Sequence, residues 1–104
     1  MTMLVEHSFV TTTEADSAID QAAQLLQMMG FKISSRSPQS LEVRRGRANP
    51  NTPKIRLLPQ QVRLVFDRGR IDVAASMTCR GGKTLPVHIS FMTALVRALE
   101  DLLV

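Results

Sequence analysis

The strictest pattern in the chain lies on either side of Arg68-Gly69. Before it, Val62, Leu64 and Phe66 alternate with Gln61, Arg63, Val65 and Asp67. After it, Ile71, Val73, Ala75, Met77 and Cys79 alternate with Arg70, Asp72, Ala74, Ser76 and Thr78. A period of two over this length gives each of two extended segments one apolar and one polar face. Arg68-Gly69 between them is a two-residue hairpin turn, and Gly69 is able to take the positive φ that such turns need. Two strands joined in this way are antiparallel, and a sheet with one apolar face requires a layer packed on that face. Residues 55–60 upstream are also strand-like. Pro59 lacks a ladder donor, however, so either a break falls near Pro59-Gln60 or that segment lies on an edge.

Shorter segments extend the pattern. Phe31, Ile33 and Ser35 alternate with Lys32, Ser34 and Arg36, and Leu41 and Val43 alternate with Glu42 and Arg44 up to Arg45. Ser37-Pro38-Gln39-Ser40 between them is a turn. Residues 3–12 form a strand rich in β-branched residues, with Met3, Val5, His7 and Phe9 on one face. Residues 46–53, with two prolines and two asparagines, make the longest expected loop.

Two segments have a helical period instead. Ala15, Ala18, Ile19, Ala22, Leu25, Leu26 and Met29 recur at helical spacing, after Thr13 as the expected N-cap and before Gly30 as the expected C′ residue. The second helix starts near Thr84-Leu85-Pro86 and carries two neighbouring apolar stripes. One is Ile89, Met92, Val96, Leu99 and Leu103; the other is Phe91, Leu95, Ala98 and Leu102. Their combined sector is wider than a helix with one buried face needs. Either a curved sheet wraps this helix or a second copy covers part of it. The expectation is therefore a homodimer formed through Ile89, Met92, Val96, Leu99 and Leu103, or through a sheet edge.

The order strand, helix, four strands, helix is that of an α+β two-layer sandwich, an antiparallel sheet of about five strands with two helices on one face. One hundred and four residues fit a single domain over residues 1–104. The layout resembles helix-on-curved-sheet domains of the helix-grip or TATA-binding-protein-like kind. Element order carries that resemblance, and a shared layout does not assign a function.

Composition acts mainly by exclusion. A single cysteine, Cys79, rules out an intramolecular disulfide and an all-cysteine metal site, and its place on an apolar strand face makes it an expected core residue. No run of 18 apolar residues provides a transmembrane segment, no basic region followed by an apolar run marks a secretory signal, and a cytoplasmic location is expected. His7 and His88 have no His, Cys or carboxylate at metal-ligand spacing. Gly82-Lys83-Thr84 ends like a phosphate-binding loop, but Met77 stands where the first glycine belongs and the preceding strand is antiparallel. No Gly-x-Ser-x-Gly elbow is present, and Asp67 and Asp72 lie among Arg63, Arg68 and Arg70, where cross-strand charge pairing is expected. No catalytic, metal-binding or cofactor-binding residue is assigned, and an enzyme is not expected.

The net charge of +4 hides an uneven distribution: residues 1–31 carry −4, residues 32–83 carry +9 and residues 84–104 carry −1. Lys32, Arg36, Arg44 and Arg63 fall on the expected polar sheet face, and Arg45, Arg47, Lys54 and Arg56 gather around the long loop. Together they form a candidate patch for nucleic acid or an anionic membrane surface. With four Phe and no Tyr or Trp, that face has no platform for base stacking. The leading expectation is a non-enzymatic binding or assembly domain that self-associates or binds an unidentified protein. The alternatives are a polyanion-binding module and an apolar small-molecule pocket under a curved sheet.

Overall fold

The computed structural model describes residues 2–46, 58–78 and 86–104. The elements in chain order are β1 (Thr2–Val10), α1 (Ala15–Met28), β2 (Lys32–Ser37), β3 (Ser40–Arg45), β4 (Gln60–Asp67), β5 (Arg70–Thr78) and α2 (Pro86–Leu103). The strands form one antiparallel sheet in the order β1-β5-β4-β3-β2. The α1 helix packs over β2 and β3, α2 packs over β1 and β5, and the helices touch each other. This is the α+β sandwich that the alternation predicts. No helix among the described residues is long and apolar enough to cross a membrane.

Pairing converts the alternation into rows that cross the sheet. On the helix side, Val5, Ala75, Val62, Val43 and Ile33 form one row. His7, Val73, Leu64, Leu41 and Arg36 form the next, and Met3, Met77, Gln60 and Arg45 a third. Leu26 of α1 and Met92 and Leu99 of α2 close over these rows and are completely buried. Both residues of the β4–β5 turn, Arg68 (φ 51°) and Gly69 (φ 80°), are left-handed, as a hairpin twisted to match its strands requires. The β4 strand begins at Gln60, directly after Pro59, whose carbonyl accepts a hydrogen bond from the Thr78 N–H at 2.9 Å.

The helix ends follow local chemistry. At the C-terminus of α1 the Gly30 N–H donates to Gln27 and the Phe31 N–H donates to Leu26, with Gly30 at φ 93°. This is a Schellman motif with glycine at C′, and it turns Phe31 into the core. The N-terminus differs from expectation. Glu14, not Thr13, is the N-cap, and no side chain caps the helix. The Thr13 N–H donates to the hydroxyl of Thr11 at 3.1 Å, while that hydroxyl donates to the carbonyl of Leu103 at the end of α2. Thr11 is buried and joins the exit of β1 to the last turn of α2.

The apolar stripe of α2 also needs correction. Met92, Val96, Leu99 and Leu103 lie in the protomer's own core, and only Ile89 of the five is exposed. The helix has two neighbours, the sheet and α1, which cover most of its first apolar stripe, while Ile89 and Leu102 remain exposed. Cys79, the segment Gly82-Lys83-Thr84 and residues 47–53 of the long loop lie outside the described residues.

Gly46 ends β3 at φ 97°, and a Cβ there would stand 2.1 Å from the Leu58 carbonyl oxygen. Gly46→Ala is expected to destabilise the domain by about 2–4 kcal/mol, through a left-handed φ and a backbone clash. Thermal denaturation checks this, at roughly 4–8 °C per kcal/mol. Thr11→Val keeps the shape but removes the hydroxyl from two backbone partners, and is expected to cost about 1–3 kcal/mol in the same measurement.

Candidate functional site

The space on the helix side lies where the row Met3, Met77, Gln60, Arg45 reaches the end of α1. The Schellman motif uses the N–H groups of Gly30 and Phe31 and presents the Met29 carbonyl. Arg45, on the helix face of β3, donates through Nη1 to that carbonyl at 2.7 Å. Its Nε and Nη2 both donate to Oε1 of Gln60, at 3.2 and 2.6 Å. Gln60 is buried, and its Nε2 donates to the Leu58 carbonyl at 3.2 Å. The guanidinium stacks over Phe31 with its carbon 4.2 Å from the ring centre, and lies 5.6 Å from the ring of Phe91 on α2. A cation at a helix C-terminus and over an aromatic face is favourable on both counts.

Above this group is a cleft of about 410 Å³ lined by Met28, Met29, Arg45, Phe91, Ala94 and Leu95. It is open to solvent on one side, and among the described residues its lining side chains are apolar apart from Arg45. The sequence expectation is an apolar small-molecule pocket under a curved sheet, and this cleft lies at the margin of the sheet, beside the C-terminal end of α1. Among the described residues, Leu26, Leu99 and Met92 fill the space between helices and sheet, and this cleft lies between the C-terminal end of α1 and the first half of α2. None of the described lining side chains is a nucleophile or a general acid or base. Among the described residues no three His, Cys, Asp or Glu gather as a metal site would need.

The predicted basic patch is divided. Lys32, Arg44 and Arg63 do lie on the open face of the sheet. Glu42 lies between two of them, 3.3 Å from Arg44 and 3.5 Å from Arg63. Arg36 is not on that face. A bulge between Ile33 and Ser35 shifts the register by one residue, so Arg36 pairs with inward-facing Leu41 and forms an ion pair with Asp20 of α1. Arg45 belongs to the cleft, while Arg47, Lys54 and Arg56 lie outside the described residues. Exposed pairs such as these contribute little to stability, about 0–1 kcal/mol each.

Two further polar contacts lie apart from the cleft. His7 Nε2 is 2.8 Å from Glu100 of α2. On the open face the Ser8 hydroxyl donates to Asp72 at 2.5 Å. That hydrogen bond, with the Arg70 charge beside it, holds the Asp72 carboxyl below its ordinary range despite some desolvation. A depressed folded-state value stabilises the fold above the unfolded-state value, and the contribution is lost as pH falls through the folded-state value. Ser8→Ala is expected to move the Asp72 titration upward, toward an ordinary carboxylate, as read by NMR of the side-chain carboxyl.

Sequence reasoning had a usable signal for Arg45 and Gln60. Parity places Arg45 with Leu41 and Val43, and Gln60 with Val62 and Leu64, on the apolar face. No protein-family model matches the chain, and no curated protein matches its sequence. Among solved structures it is similar to the crystal structure of Ara h 8.0201, with a TM-score of 0.50 and 8% identity. The match covers 95% of this chain and 93% of that one. At such identity the similarity concerns the fold.

Proposed function

We propose that this chain is a non-enzymatic binding domain whose cleft between α1 and α2 takes a small amphiphile, with an apolar body and an anionic end. The observation that carries this reading is the composition of the cleft: Met28, Met29, Phe91, Ala94 and Leu95 around one guanidinium, in a volume of about 410 Å³. Small-molecule sites commonly measure about 300–1,000 Å³ and combine apolar walls with few polar groups. Two adjacent methionines give a wall that adapts to ligand shape. Arg45 supplies the directional element. Its guanidinium is held by Gln60 and Met29, so an incoming anion meets a charge already in place. The carbonyl end of α1 offsets part of that charge, and no other lining residue among the described ones is charged.

The polyanion reading has weaker support. On the open face Lys32, Arg44 and Arg63 are interleaved with Glu42, and Arg36 is turned toward Asp20. Counterion release needs several uncompensated cations aligned on one surface.

Decanoate and decanol, titrated separately while the methionine methyl signals are followed by NMR, test the proposal. Decanoate is expected to shift Met28 and Met29 and to bind more tightly than decanol, with the difference shrinking as salt is raised. Ala94→Trp fills the cleft from an exposed helix position and is expected to abolish binding while leaving the melting temperature near that of the parent. Absence of binding by both probes, or binding that persists in Ala94→Trp, would overturn the proposal. Equal affinity for the two probes would remove the role of Arg45.

A further inference from the structure

The two edges of the sheet are built differently. The β2 edge has six residues, all exposed, with Lys32 and Arg36 among them and a bulge at Ser34. Short length, basic side chains and a bulge are devices that keep a free edge from pairing. The β1 edge has none of these. It runs for nine residues, Thr2–Val10, without Lys, Arg or Pro, and its register with β5 is unbroken. On the open face it carries two exposed apolar side chains, Leu4 at 55% and Val10 at 72% exposure.

We propose that β1 pairs antiparallel with β1 of a second copy, about a two-fold axis at His7. Symmetry and chemistry select this register. Centring the pair between two residues would set the helix face of one copy beside the open face of the other. Centring it on Glu6 would oppose two carboxylates and place Val10 against Thr2. Centring it on Ser8 would place Leu4 against Thr12, beyond the end of the strand. Centring it on His7 places Leu4 opposite Val10 twice, once on each side of the axis, and sets Glu6 opposite Ser8. The two exposed apolar residues of the edge are equidistant from His7, so one strand is complementary to itself. Such an isologous contact closes at two copies. It joins the two sheets into one with all α2 helices on the same face, and each His7 is held by its own Glu100. The contact goes beyond the ligand cleft, which opens between α1 and α2 beside Arg45.

Sedimentation equilibrium of the whole chain over a wide concentration range tests the proposal. The parent chain is expected to be a dimer. Leu4→Lys with Val10→Lys is expected to sediment as a monomer with an unchanged circular dichroism spectrum, because both side chains are exposed. Leu4→Glu with Val10→Lys is expected to restore the dimer, because each introduced carboxylate then faces an introduced ammonium of the second copy. A parent chain that stays monomeric, a dimer that survives the double lysine variant, or failure of the opposite-charge pair to restore association would each overturn it.

Discussion

The register of β3, β4 and β5 is the constraint on which the rest of the structure depends. A period-two strand that slips by one residue exchanges its faces completely. In the observed register Leu41, Leu64 and Val73 align as one inward row, and Val43, Val62 and Ala75 as another. Those rows create the apolar floor on which both helices pack. They also decide which polar residues reach the helix side, and these few stand near the margins of the floor. His7 meets Glu100 of α2, Arg36 meets Asp20 of α1, and Arg45 meets the carbonyl end of α1. Hydrophobic area fixes that the layers stack, and these directional contacts help fix where each helix lies.

Most of the sheet was legible because the hairpin at Arg68-Gly69 and its flanking alternation leave one sensible arrangement. The elements, their order and the antiparallel sense follow from it. Arg36 shows where legibility ends. Ile33-Ser34-Ser35 carries no glycine and no break in composition, so nothing local signals a bulge that reverses the face of the next residue. The bulge is selected by tertiary fit, since it brings Arg36 to Asp20 and disrupts an otherwise pairable edge. Arg45 is the opposite case. Its parity with Leu41 and Val43 was present in the sequence, but its charge and its closeness to the loop suggested a solvated position. A guanidinium reaches the apolar side because its plane stacks on Phe31 while its nitrogens find fixed acceptors.

The helix α2 illustrates a different limit. A sector too wide for one buried face has two explanations, a second copy or a second neighbour in the same chain. Periodicity measures the width of the sector and does not distinguish what covers it. Here Met92, Val96, Leu99 and Leu103 are covered from within, by the sheet and α1. Thr11 was obscured in a similar way. Its hydroxyl serves Leu103, more than ninety positions away, and no local pattern encodes a contact of that range.

The cleft and the β1 edge occupy different parts of the molecule for a common reason. The sheet places β1 at one border and β2 at the other, with β3 next to β2. Arg45, at the end of β3, therefore lies three strand positions from β1, with β5 and β4 between them. A continuous sheet formed through β1 would leave Arg45 on the far side of β5 and β4 in each copy, so ligand access and pairing would not compete. The bulged, basic β2 edge would then terminate the assembly at both ends. An isologous contact through one unprotected edge, with the opposite edge blunted, gives a closed pair and no open-ended ribbon.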